Sequence, residues 1–313
     1  MSTYYASLLA ESGILLLGAL SVYIILATGQ LSLGNGAFMG IGAYLSSYLT
    51  VALNVPLTLA LVISAIAAGI IGAIVAFPAL RLKGIYLAMA TVGFGEMVRS
   101  FFLNFDAMGG SGGYRGMQHI SVGYVWLWAG GILIAVMLLE RSRVWLEMQA
   151  VHDDETAAGL IGLNTTVTKI GAFGVGAAVA AISGGLFAHH NVYIEPANFG
   201  FDRSIEFVLA VILGGSTVGP GSLVGSLLLV FLPEFLRPIA DWRLAAFGTL
   251  LIVVLLVRRQ GILDRTLIRT LTFRRAAASA TRCFNSPASP RRSAASTRCR
   301  AWSAKCRKAR SSA

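Results

Sequence analysis

QAVHDDETAAGLIGLNTT, residues 149–166, sets Asp153, Asp154 and Glu155 side by side in a chain that is 56% hydrophobic. Only 12% of the 313 residues are charged, whereas soluble domains carry about a quarter. The island stands out because apolar runs flank it on both sides, several of them close to the roughly 20 residues that cross a hydrocarbon core as helix. Nine such runs can be drawn, near 12–28, 31–53, 55–77, 84–104, 123–139, 169–188, 205–219, 221–237 and 244–257. The second and seventh are rich in Gly and Ser and the seventh is short, so either reads as a broken or re-entrant helix. The expected fold is an all-α polytopic integral membrane protein of about 8–10 transmembrane helices, with a cytoplasmic helix in the loop at about 142–166.

The formal net charge of +11 is unevenly placed. Residues 1–260 hold 12 Lys and Arg against 13 Asp and Glu, while residues 261–313 hold 13 basic residues against Asp264 alone. The near-neutral first part argues against nucleic acid as a partner. The expected division is therefore a membrane domain, 1–263, and a basic tail, 264–313. That tail holds all three cysteines, Cys283, Cys299 and Cys306, and is too polar to fold alone. It reads either as a surface arm or as a shifted reading frame in GC-rich DNA, and the second is preferred. At the other end, MSTYYASLLAESGILLLG has no basic lead and carries Glu11, so it reads as a retained first helix rather than a cleaved signal. Basic residues of cytoplasmic loops orient a polytopic protein. With the N-terminus outside, Arg81, Lys83, Arg141, Arg143, Lys169, Arg258 and Arg259 fall inside, and so do the island and the C-terminus.

Within the island, Val144, Met148, Val151 and Ala158 lie near one helical face, with Glu147, Asp154 and Glu155 toward the other. The acids suit a helix N-terminus, whose dipole favours carboxylates. Ala157 and Ala158 followed by Gly162 leave room for a partner backbone. A helix resting on lipid would show Lys or Arg on its polar face. This one shows acids, so docking into a groove of another protein is the better reading.

TAAGLIG (156–162) resembles the E-A-A-x-x-x-G coupling loop of ABC transporter permeases, with Glu155 one residue further upstream than usual. DDETAAGLIGLN is similar to the version found in branched-chain amino acid permeases of the LivM type. Three further stretches resemble that family in the same order: GQLSLGNGAFMGIGAY (29–44), GGSGGYRGM (109–117), with Tyr114 where Leu is usual, and ILGGSTVGPGSLVGS (212–226). VRRQG (257–261) is similar to its closing motif, and the resemblance stops where the basic tail begins. It implies a permease subunit of a bacterial inner-membrane importer, paired with a paralogous permease subunit, two ATP-binding subunits and an extracytoplasmic substrate-binding protein. ATP and Mg would then sit on the partner subunits, with no cofactor on this chain, and no G-x-x-x-x-G-K-[ST] occurs in the sequence. Asp153, Asp154, Glu155, Ala157, Ala158 and Gly162 would couple to the ATPase.

Polar groups at membrane depth are functional candidates. Glu96 and Arg99 sit three apart and can pair on one helix face, or Glu96 can line the substrate pathway. Gln30, Ser32 and Asn35 lie among glycines. That stretch, and Gly214, Gly215 and Ser216, either lets helices pack closely or exposes helix ends to a zwitterionic amino acid. His189 and His190 read as part of a wetted outer loop in which Glu195, Asp202 and Arg203 could meet an external binding protein. The rival class is a stand-alone ion-coupled secondary transporter or channel for small polar solutes, with Glu96 as its one good titrating carboxylate.

Overall fold

A computed structural model describes residues 2–82, 84–215, 219–235 and 248. All of them belong to Met1–Asp264, the first of two units into which the chain divides. Lys83, Ser216, Arg237, Arg243, the ninth apolar run, the VRRQG motif and the tail 264–313 lie outside the described residues.

Ten α-helices follow in order: α1 Ser2–Leu26, α2 Asn35–Val51, α3 Leu57–Ala79, α4 Ile85–Leu103, α5 Val122–Leu139, α6 Arg143–Asp153, α7 Glu155–Leu160, α8 Thr165–Asn191, α9 Phe201–Gly214 and α10 Gly219–Phe235. Helix α1 is apolar around its circumference, as core and membrane-spanning helices are. It is surrounded accordingly, with Leu16, Leu17, Ala19, Leu20 and Ile25 fully buried.

Helix α3 shows what solvent the fold is built for. Its buried row is Ala60, Leu61, Ser64, Ala65, Ala68, Gly72, Ala76 and Ala79, small throughout except for Leu61, and its exposed row is Leu59, Ile63, Ile66, Ile70, Ile74 and Phe77. Small residues inside and large aliphatics outside invert the soluble pattern. Lipid solvates the aliphatics, and small residues let helix backbones approach. Helix α8 meets that row closely: a Cβ on Gly72 would stand 2.5 Å from the Ala177 methyl. Further along α8, Cβ atoms on Gly184 and Gly42 would run into the backbones of Met39 and Ala181, so α2 and α8 lie in direct backbone contact.

Among the described residues four helices, α1, α3, α5 and α8, are long and apolar enough to cross a membrane. This is the all-α polytopic membrane architecture. The seventh and eighth apolar runs fall largely on described residues. They form α9 and α10, bent by 117° to each other, and together amount to at most one broken span or re-entrant loop. With 14 residues, α9 reaches only about 21 Å against a hydrocarbon core of about 30 Å. Helices α2 and α4, at 17 and 19 residues, are the other two outside the island that fall short of the four.

The two ends of the bundle are distinct. At one, the link after α1, the α3–α4 link, the island and the start of α8 border a common cavity. At the other, the α4–α5 and α8–α9 links pair as a two-residue antiparallel ladder, β1 Tyr114–Arg115 with β2 Tyr193–Ile194, and the Arg115 guanidinium lies 4.8 Å over the Tyr193 ring. No periodicity in the sequence announces strands this short.

Candidate functional site

The island is two helices rather than one. Ser142 caps α6 by accepting the Trp145 N–H, and the chain breaks at Asp154, whose backbone is extended (φ −154°, ψ 107°). The Asp154 carboxylate then caps α7, accepting the N–H groups of Thr156 at 2.8 Å and Ala157 at 3.0 Å. Glu155 opens α7 and pairs with Lys169 of α8 at 2.6 Å. The expected helix N-terminus is thus built from Asp154 and Glu155, while Asp153 closes the preceding helix. The inward face differs from the expected one too. Trp145, Met148, Val151 and Ala158 are buried, whereas Val144 and Ala157 are exposed.

Gly162 has a structural role within the chain itself. A Cβ there would meet nothing within 4 Å, but its φ is +90°. The Gly162 N–H bonds the Gly159 carbonyl and the Leu163 N–H bonds the Ala158 carbonyl, the paired bonds of a Schellman C-cap, which needs a left-handed residue. Gly162 ends α7. What the island does offer outward is apolar. Leu160 is 85% exposed and Ile161 75% exposed at the tip of α7, with Leu146 and Val167 also open.

The break after α1 lies against the island. Gly29 (φ +76°) faces His152, whose Nδ1 would stand 3.0 Å from a Cβ on Gly29. Gln30, Ser32 and Asn35 are buried. The Asn35 amide donates to the Ser21 hydroxyl at 2.8 Å, the Ser32 hydroxyl accepts the Gly34 N–H at 3.3 Å, and Gln30 Oε1 and Asn35 Oδ1 have no hydrogen-bond partner among the described residues. Gln30 borders a cavity of about 640 Å³, with Thr28 and Leu31 beside it, Leu82 and Leu87 from the α3–α4 region, and Val151, His152, Glu155 and Lys169 opposite.

The second glycine block is a packing device. Cβ atoms on Gly214 and Gly225 would strike the carbonyls of Gly221 and Ala210, so α9 and α10 fold back at backbone contact, and Gly215 turns the chain at φ +112°. The first glycine block also packs: a Cβ on Gly36 would stand 2.7 Å from the Ser204 hydroxyl. Glu96 and Arg99 form the expected ion pair at 3.1 Å, with half-exposed side chains.

Two outer-end readings are corrected. His189 and His190 are not in a wetted loop; they close α8 and are buried. The His189 ring bridges the Gly185 carbonyl and the Thr50 hydroxyl. Arg203 is not a free docking charge. It bonds Glu206 at 2.8 Å and Glu11 at 3.4 Å and lies 5.0 Å over the Phe187 ring.

Glu140 is a residue that sequence reasoning missed. At the end of α5, its Oε1 accepts the Tyr23 hydroxyl at 2.5 Å and the N–H of Gly219, first residue of α10, at 2.6 Å. Tyr23 in turn stacks on Trp145 of the island, centroids 5.3 Å apart. The one signal available was a lone acid following an apolar run.

The family model described as the permease component of the branched-chain amino acid transport system matches residues 4–257. The high-affinity branched-chain amino acid transport system permease proteins LivM of Salmonella typhimurium and Escherichia coli are each 28% identical over 280 residues, 76% of this chain and 65% of theirs. BraD of Pseudomonas aeruginosa, named as a permease protein of the same kind of system, is 34% identical over 132 residues, 41% of this chain and 42% of its own. The chain thus spans about two-thirds or less of the length of these relatives. No solved structure matches it.

Proposed function

Since this chain belongs to the family of permease components of branched-chain amino acid transport systems, we propose that it is the membrane-embedded subunit of an ATP-binding cassette importer moving branched-chain or related amino acids by alternating access. ATP is bound and hydrolysed on two partner subunits. A paralogous permease completes the membrane part, and an external binding protein delivers the solute at the end carrying the β1–β2 ladder. The island end faces the cytoplasm, as the basic residues Arg81, Arg141, Arg143 and Lys169 around it favour. The membrane is the bacterial inner membrane, with the N-terminus outside and the C-terminus inside.

The observation that carries the reading is the island. A capped, salt-bridged helix pair holds Leu160 and Ile161 outward at the polar end of the bundle, which is the form of an apolar knob for a groove on another protein. Asp154, Glu155 and Gly162 act by shaping that knob. The ion-coupled carrier is less well supported, because Glu96, its one titrating candidate, is held by Arg99.

Co-purification in detergent with candidate ATP-binding subunits of branched-chain amino acid importers tests this. Wild type retains them, and Leu160→Asp with Ile161→Asp loses them, since both side chains are open and neither supports the fold. Wild type that inserts normally yet retains none would remove the importer reading.

A further inference from the structure

The break after α1 and the island lie far apart in the sequence yet share one cavity of about 640 Å³. Its chemistry is divided. Leu31, Leu82, Leu87 and Val151 supply aliphatic wall, and Lys169, Glu155 and His152 supply charge and hydrogen-bonding capacity. Lys169 is only 12% exposed and stands 2.6 Å from Glu155. The cavity lies within the roughly 300–1,000 Å³ range of small-molecule sites, which are typically apolar with a few placed polar groups.

We propose that this cavity binds a zwitterionic amino acid with an aliphatic side chain, entering from the end of the bundle where the island lies. The class of solute rests on the importer reading; the place rests on the cavity. A carboxylate approaching Lys169 and an ammonium approaching Glu155 replace one ion pair by two, so a zwitterion brings no net charge to the site. A solute with only one of its charges leaves one partner of the pair unmatched, at most cost for Lys169, whose side chain is only 12% exposed. The aliphatic side chain then lies against the leucine wall. Because Glu155 opens α7 and Lys169 lies in the first turns of α8, a bound amino acid competes with the contact that ties α7 to α8. Occupancy therefore loosens the island, and accumulated amino acid on that side weakens docking of whatever the island engages.

The test is equilibrium binding of tritiated leucine to the full chain in detergent by scintillation proximity. Wild type binds saturably, with valine and isoleucine as competitors. Leucinamide and 4-methylpentanoate, each lacking one charge, compete at least tenfold more weakly. Lys169→Met weakens leucine binding at least tenfold. So does Ile85→Trp, at an exposed position on the cavity rim where the fold tolerates change, while Leu127→Trp, exposed on α5 and outside the cavity lining, leaves it unchanged. Saturable binding indifferent to both Lys169→Met and Ile85→Trp overturns the site while leaving an amino-acid permease intact. Absence of saturable binding also overturns it. The importer reading is judged separately, by retention of ATP-binding subunits.

Discussion

Glu140 and Tyr23, 117 residues apart, are joined by a hydrogen bond of 2.5 Å from the tyrosine hydroxyl to the carboxylate. The same oxygen caps the first N–H of α10, where the positive end of a helix favours negative charge. Through the Tyr23–Trp145 stack this single carboxylate connects α1, α5, α10 and the island. It links the island to the bent α9–α10 pair through direct contacts.

Glu140→Ala leaves two donors without their acceptor and destabilises the protein by about 1–3 kcal/mol. Glu140→Gln keeps an acceptor oxygen and loses less. Thermal unfolding in detergent ranks the two against wild type. Equal midpoints for all three would mean that the contact contributes nothing.

Gly162→Ala strains only the backbone, since no atom lies near its Cβ position. The cost is about 1–2 kcal/mol for a left-handed conformation, and Gly162→Asn, which tolerates that region better, costs less. Amide hydrogen exchange reads it out, with faster exchange confined to the C-cap amides of 161–163. Uniform exchange changes across the chain would contradict so local a role.

Asp154→Ala removes the cap of α7 and costs about 0.5–2 kcal/mol. The amides of Thr156 and Ala157, which the carboxylate now accepts, exchange faster. Asp154→Asn and Asp154→Ser restore most of the protection; a requirement for the charge itself would show as no restoration by either.

Gly184→Leu drives α8 off α2, because even a Cβ at that position meets the Met39 carbonyl. Overpacking against backbone costs about 1–3 kcal/mol or more. The variant unfolds at lower SDS fraction than wild type, whereas Gly131→Leu, on α5 with nothing within 4 Å of its Cβ position, does not. Indistinguishable SDS midpoints for Gly184→Leu and wild type would refute backbone contact between α2 and α8.

What the sequence by itself determined is what depends on neighbours within a few residues. Apolar runs mark the helices, the spacing of Glu96 and Arg99 pairs them, and the acids at 153–155 mark a helix start. Membrane burial of backbone forces helices wherever a run is long enough, so the all-α architecture was legible without any contact. Tertiary structure alone decided which face of α3 turns inward, because there the inward row is mostly the small one and hydropathy cannot rank it. It also decided that α9 and α10 fold back on each other, that His189 finds Thr50 and the carbonyl of Gly185 rather than water, and that Glu140 reaches Tyr23 and Gly219. Above all it set Gln30 and the island around one cavity. Their approach rests on Gly29 meeting His152 across more than a hundred residues of chain, and no local periodicity encodes a contact of that range.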